Sequence, residues 1–131
     1  MAYIHSCRVI IGDFRLDNVV YDDQMRIKLL DFSECTLMPL EWDFVGSDDA
    51  GFSILTDIAH FGAVMFQIIS GKDCAFDIYQ EWTQVGDPTV WPSRETLPRT
   101  GGIWLGDIID KCWSKGFMSA SELAQALGKE T

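Results

Sequence analysis

Apolar and polar positions change their period midway along the chain. Before residue 54 the apolar runs are short. Residues 9–11 (Val9, Ile10, Ile11) are apolar and β-branched, and residues 18–21 and 26–30 flank the polar turn Asp22-Asp23-Gln24-Met25. In the second of these runs Ile27 and Leu29 alternate with Arg26 and Lys28, the period of a strand, so the spacing predicts a β-hairpin. Residues 34–53 hold Pro39, Gly46, Gly51 and the acids Glu41, Asp43, Asp48 and Asp49 without a sustained period. A long irregular loop is predicted there, and loops of such length are commonly functional.

From residue 54 the pattern turns helical. Residues 54–70 are apolar on nearly every side, as in a helix buried at a domain centre, and Gly71 with Lys72 suits its C-terminal end. Residues 83–102 contain Pro88, Pro92, Pro98 and three glycines and predict a surface loop. Leu105, Ile108, Ile109 and Cys112 recur at i, i+3, i+4, i+7, one face of a helix. Ser119-Ala120-Ser121-Glu122 fits a capping box opening a last helix, whose face is Ala120, Leu123, Ala124 and Leu127. No repeat, low-complexity run or linker divides residues 1–131, so one domain is expected.

Composition narrows the class. Of the 131 residues 47% are hydrophobic, with five Trp and eight Phe, which predicts a packed core. The net charge of −10 opposes binding to nucleic acid or an anionic membrane surface, which need a basic face. The four cysteines (Cys7, Cys35, Cys74 and Cys112) form no C-x-x-C pair and, with His5 and His60, offer no zinc spacing; free, mostly buried thiols are expected. His5 and His60 are read as packing or surface residues, and Trp42, Trp82, Trp91, Trp104 and Trp113 as core or loop anchors. The first residues lack a secretory apolar segment, and no run approaches the ~18 apolar residues of a membrane span. A soluble, cytoplasmic protein is expected.

Three polar residues stand out against the apolar background. Asp13 follows the first apolar run, Asn18 opens the hairpin and Asp31 closes it, so the hairpin can return Asp31 towards Asn18. Two oxygen donors placed so would suit Mg²⁺, a hard cation that shares its sphere with phosphates. Asp13 could orient a hydroxyl. Ordinary turn and capping roles account for the same three residues equally well.

The order of motifs resembles that of a protein kinase, which carries H-R-D-L-x-x-x-N, a hairpin and then D-F-G. Ile11-Gly12-Asp13-Phe14-Arg15-Leu16-Asp17-Asn18 matches the first motif in its Asp and Asn, and Asp31-Phe32-Ser33 resembles the second. Ala2-Tyr3-Ile4-His5-Ser6 is similar to the end of the helix before the catalytic loop. Asp57-Ile58-Ala59-His60-Phe61-Gly62 resembles the D-x-W-S-x-G opening of the central kinase helix, and Ile108-Ile109-Asp110-Lys111-Cys112-Trp113 resembles the late helix ending in C-W. Residues 57–127 are also similar in wording to kinase-like proteins of filamentous fungi. The resemblance implies a mainly α fold with a small β-hairpin: the C-terminal lobe of a protein-kinase-like domain, α+β in class. In it residues 11–18 are the catalytic loop, 31–33 the D-F-S triplet, 34–53 the activation-segment-like loop and 54–128 the helical part. It further implies that Asp13 accepts or orients the substrate hydroxyl, and that Arg15 neutralises charge on the transferring phosphoryl group. Asn18 and Asp31 would hold Mg²⁺ on the ATP phosphates, and Asp57 would tie the catalytic loop to the central helix.

The chain departs from that family in places. The His and Arg of the first motif are Ile11 and Gly12, and the loss of the Arg removes the usual reader of a phosphorylated activation loop. Ser33 replaces a Gly, which limits backbone freedom beside Asp31. Residues 34–53 contain no A-P-E, and Met118 stands where the late Arg partner of that Glu is often found. No Gly-rich loop, V-A-I-K-like Lys or Glu-bearing helix precedes Met1, so the N-terminal lobe is expected to be absent from these residues. Phosphoryl transfer depends on positioning and charge stabilisation supplied by that lobe. Two readings stay open. One is a truncated kinase-like domain, related to ATP-dependent transfer to protein Ser, Thr or Tyr hydroxyls, with Mg²⁺ and ATP as cofactors if active and negligible turnover alone. The other is a pseudokinase fragment serving as a protein-binding scaffold or decoy, without cofactors. Either way the partner or substrate is a protein. Adding Mg²⁺ and ATP to the purified chain is therefore expected to move its melting temperature little; a rise of several degrees that Asp31→Asn abolishes would contradict this.

Overall fold

The sequence pattern of residues 54–70 is realised as the longest helix, α2 (Ile54–Ser70), and the rest of the chain is arranged around it. The structure is a computed structural model and describes residues 1–80 and 89–130. Ser53 caps α2 reciprocally: its hydroxyl accepts from the Thr56 N–H at 3.2 Å, and its own N–H donates to Thr56 Oγ1 at 2.8 Å. Gly71 ends the helix in the left-handed region at φ +69°, with its N–H on the Gln67 carbonyl at 2.9 Å.

The described elements run in the order α1 (Ala2–Ser6), β1 (Val9–Ile10), β2 (Val19–Tyr21), β3 (Ile27–Leu29), β4 (Thr36–Leu37), α2, α3 (Gly106–Trp113) and α4 (Ala120–Glu130). Single 3₁₀ turns occupy Leu16–Asn18 and Arg94–Thr96. The fold is thus helix-dominated with two small antiparallel sheets, an α+β arrangement. β2 and β3 form the hairpin in the register Val19↔Leu29, Val20↔Lys28 and Tyr21↔Ile27. Its turn is built by Asp22, whose Oδ1 accepts from the N–H groups of Gln24 at 3.0 Å and Arg26 at 2.9 Å.

The second sheet corrects the expectation of a wholly irregular segment 34–53. Thr36 and Leu37 pair with Ile10 and Val9. Asp48 then organises the rest of the segment: it accepts from the Thr36 hydroxyl at 2.7 Å and from the N–H groups of Ala50 and Phe52 at 2.9 Å each. Glu41, Asp43 and Asp49 are exposed. Of the acids there, Asp48 alone is drawn inward.

The main core lies between α2, α3 and α4, around Ile58, Ala59, Phe66, Ile109, Cys112, Trp113, Phe117 and Leu123. Trp113 donates its ring N–H to the Ala59 carbonyl at 3.2 Å, which satisfies a buried indole. A smaller cluster of Ile11, Phe14 and Val64 sits under the hairpin, with Phe14 and Phe61 rings 5.4 Å apart. On α4 the buried face is Ala120 and Leu123, with Ala126 and Leu127 partly buried, whereas Ala124 is exposed. The face is the expected one except that Ala126 stands in for Ala124. The Ser119 hydroxyl accepts from the Glu122 N–H at 3.2 Å, but the Glu122 carboxylate reaches the Met118 N–H at 2.8 Å rather than that of Ser119.

Among residues 89–102, Arg94 is the fastener. Its guanidinium donates to Asp110 at 2.5 Å and to the Pro98 carbonyl at 2.8 Å, and lies 5.3 Å from the centre of a Trp113 ring. Trp91 donates to the Trp113 carbonyl at 2.8 Å. Trp104 is exposed, against the expectation of an anchor, while Trp82 and Pro88 lie outside the described residues. All four cysteines are free; Cys112 is buried and Cys7 is exposed, so the thiols are less uniformly buried than expected. Burial pushes the Cys112 thiol up to about 12. Among the described residues, no helix is long and apolar enough to cross a membrane.

Helices α2 and α3 meet at Gly62. A Cβ there would lie 2.9 Å from Cys112 Cβ and 3.1 Å from the Trp113 ring nitrogen. Helix propensity favours Ala over Gly by about 1 kcal/mol, but overpacking a filled contact costs about 1–3 kcal/mol. Gly62→Ala is expected to lower stability by about 1 kcal/mol in urea unfolding; a gain would mean the two helices separate freely.

Candidate functional site

Asp57 lies one turn into α2 and is fully buried, at 0% exposure. A carboxylate in that position must collect donors, and it collects three. Its Oδ2 accepts from the Ile11 N–H at 2.8 Å and from His5 Nε2 at 2.8 Å, and its Oδ1 accepts from the Gly12 N–H at 2.9 Å. Because a carboxylate accepts only, His5 carries its proton on Nε2 in this contact; His5 Nδ1 is buried without a partner. The run 11–18 is therefore hung from α2 by two main-chain N–H groups. The partnership of His5 with Asp57 was not legible in the sequence, where the two lie 52 positions apart.

Gly12 follows from this suspension. Its φ is +78°, and a Cβ would lie 2.9 Å from the Glu34 carbonyl oxygen. A residue without a side chain fits that left-handed, crowded position at least cost. Asp13 comes next, its N–H on the Ile11 carbonyl at 2.9 Å and its side chain 40% exposed. Asn18 is brought to the same loop, since its side-chain amide N–H donates to the Asp13 carbonyl at 3.4 Å.

Arg15 is placed differently from a group aimed at Asp13. Its Nη2 donates to Asp17 at 2.7 Å, while its Nε stands 3.9 Å from Asp13. The Asp17 hydrogen bond, with the charges of Asp13 and Asp17, raises the Arg15 pKa further above its ordinary value. All three side chains are well exposed, so this pairing is weak.

Asp31 lies beyond β3. The Leu30 N–H donates to the Asn18 carbonyl at 2.8 Å and extends the hairpin ladder, which puts Asp31 one residue past the position opposite Asn18. Asp31 is exposed and itself takes the left-handed conformation, at φ +59°. Ser33 does not share a positive φ, so Gly is not required at that position here. Instead Ser33 donates twice to Asp31 Oδ1, from its hydroxyl at 2.6 Å and its N–H at 3.1 Å. These bonds hold the Asp31 carboxyl below the usual carboxylate range.

For a hard divalent cation the fit rests on Asn18 and Asp31. Asp31 Oδ2 takes no hydrogen bond among the described residues, and the Asn18 amide oxygen is likewise uncommitted. These are the oxygen types Mg²⁺ accepts, with its remaining positions left for water or phosphate. Among the described residues no group of three or more His, Cys, Asp or Glu is gathered for a metal ion.

Beside Asp13 opens a cleft of about 770 Å³, walled on one side by residues 12–17 and on the other by α2 and residues 73–79. Asn18 and Asp31 are outside its lining. His60 forms part of its floor between Phe52, 6.0 Å away, and Phe76, 5.9 Å away, and burial lowers its pKa from the ordinary value. His60 stands three residues after Asp57 on α2, a spacing that would have hinted at a shared neighbourhood. Residues 73–79 carried no such signal.

The three donors to Asp57 give the expected order of variants. Asp57→Ala leaves two main-chain N–H groups and His5 without an acceptor, each orphan costing about 1–3 kcal/mol. A loss of at least about 3 kcal/mol in urea unfolding is expected for Ala, and a smaller one for Asn, which keeps one acceptor oxygen. Equal losses would show that the acceptors do not matter.

No protein-family profile matches the chain. It is similar to three protein kinases. It is 25% identical over 97 residues to the tyrosine-protein kinase receptor svh-2 of Caenorhabditis elegans, covering 63% of this chain and 9% of that protein. It is 32% identical over 91 residues to the serine/threonine-protein kinase PDK1 of Cryptococcus neoformans (55% and 7%), and 31% identical over 94 residues to the serine/threonine-protein kinase PKH2 of Saccharomyces cerevisiae (53% and 9%). The chain spans less than a tenth of the length of these relatives. At these identities the matches give the chain a distant, kinase-like relationship.

Proposed function

We propose that the chain is the C-terminal-lobe portion of a protein-kinase-like domain, serving ATP-dependent phosphoryl transfer to a protein hydroxyl within a longer polypeptide. The observation that carries this reading is the suspension of Ile11 and Gly12 from the buried Asp57 carboxylate, which sets Asp13 at the rim of an open cleft. In this reading Asp13 takes or orients the proton of the substrate hydroxyl. Arg15 leaves Asp17 to meet the charge of the phosphoryl group. Asn18 and Asp31 hold Mg²⁺, which supplies charge neutralisation on the ATP phosphates when bound. The kinase relatives support the reading, and so does the order of the motifs along the chain. By itself the chain offers half a cleft, open to water, and its turnover is negligible.

One observation favours the second reading, a catalytically silent protein-binding unit. Tyr21 and Ile27, paired across the hairpin, are 70% and 74% exposed, and Leu30 and Phe32 beyond it are each 50% exposed. Tyr21 and Ile27, as cross-strand neighbours, put adjacent apolar side chains into solvent, which favours a protein interface. Its occupant in the first reading is the other lobe of the same domain, and in the second a separate protein.

The native polypeptide, isolated from its own cells and sized against 14.8 kDa, separates the two. A longer product incubated with Mg²⁺, ATP and mixed protein acceptors is expected to transfer phosphate, and Asp13→Asn to slow the transfer by about 100-fold or more. Equal rates in the variant would overturn the assignment of Asp13, and no transfer by the native product would favour the binding reading.

A further inference from the structure

We infer that Ser33 is a positioning residue that reserves one oxygen of Asp31, so that the site takes a single divalent cation through Asp31 Oδ2 and the Asn18 amide oxygen and holds it weakly. The inference rests on the phosphoryl-transfer reading above, which gives Asp31 its metal role. Its basis is the unequal treatment of the two Asp31 oxygens. Oδ1 accepts both the Ser33 hydroxyl, at 2.6 Å, and the Ser33 N–H, at 3.1 Å. Oδ2 accepts nothing among the described residues.

The two donors differ in what they depend on. Any residue at position 33 except Pro would present the N–H, whereas the hydroxyl bond needs Ser or Thr. A cation chelated by both carboxylate oxygens, or a second cation on Oδ1, must displace that hydroxyl. The hydroxyl also draws charge from the carboxylate and so weakens it as a ligand. Both effects act in the same direction. The Asp31 backbone adds to the restriction: in the left-handed region at φ +59°, continuing from the ladder bond between Leu30 and Asn18, it fixes where the carboxylate begins. Ser33, whose own φ is not positive, contributes its hydroxyl without a backbone penalty.

The test is a Mn²⁺ titration of the ¹⁵N-labelled chain, read as paramagnetic broadening of the Asn18, Asp31 and Ser33 amides. Mn²⁺ takes the same oxygen ligands as Mg²⁺ and reports weak binding without any need for activity. In the wild type the broadening of these amides is expected to fall away in Asp31→Asn. Ser33→Ala is expected to reach half-broadening at about 3–10-fold lower Mn²⁺, the scale of one hydrogen bond to a charged group, and Ser33→Thr to stay near the wild type. Unchanged or weaker binding in Ser33→Ala, with Asp31 still required, would overturn the inference and leave the metal role of Asp31 standing. Broadening that ignores Asp31→Asn would remove that metal role, and the inference with it. Ser33 and Asp31 are both exposed, so the variants keep the fold, and the remaining amide positions verify this in the same spectra.

Discussion

A carboxylate with no access to water is the constraint on which the rest of this chain depends. Asp57 must be met by donors wherever it is buried, and those it meets come from α1 itself, through His5, and from Ile11 and Gly12 in the stretch after it. One side chain therefore fixes the relation of the long central helix to the loop that carries Asp13 and Asn18. The requirement is chemical rather than sequence-specific. Two of the three donors belong to the main chain, so Ile11 and Gly12 can stand where kinases carry His and Arg without loss of the anchor.

The same view makes sense of the departures. Gly12 occupies a left-handed position pressed against the Glu34 carbonyl, and a residue with no side chain relieves the crowding. Ser33 was expected to stiffen the backbone beside Asp31; the strained residue is instead Asp31 itself, and Ser33 acts through its hydroxyl. Arg15 and Asp17 extend the theme, since their mutual bond leaves Asp13 only a 3.9 Å contact with the Arg15 Nε.

How much was legible in the sequence follows from the range of the interactions. The bounds of α2 were readable because capping, apolar content and a terminal Gly are all local. The hairpin was readable for the same reason, from its alternation and its polar turn. β4 was not: two residues in a stretch without a sustained period become a strand only because β1 lies beside them, Ile10 pairing with Thr36 and Val9 with Leu37. The face of α4 was misread at Ala124 because Ala is nearly neutral as a signal of burial, and Ala126 took its place. At the site, the spacing of Asp13, Asn18 and Asp31 was visible. The claim of Ser33 on Asp31, the hold of His5 on Asp57 and the cleft beside Asp13 all needed three dimensions.

Arg94 has a role that outlasts any question of chemistry at the cleft. Its guanidinium reaches a carboxylate on α3, two main-chain carbonyls and a threonine hydroxyl together, and lies against Trp113. Only a planar fork with several donors can do this, and a lysine has one point of charge to offer. The stretch from Arg94 to Thr100 has little regular structure of its own, yet it cannot peel away without disturbing α3 and the core tryptophan. Loop and helix are thus joined as one cooperative unit through a single side chain.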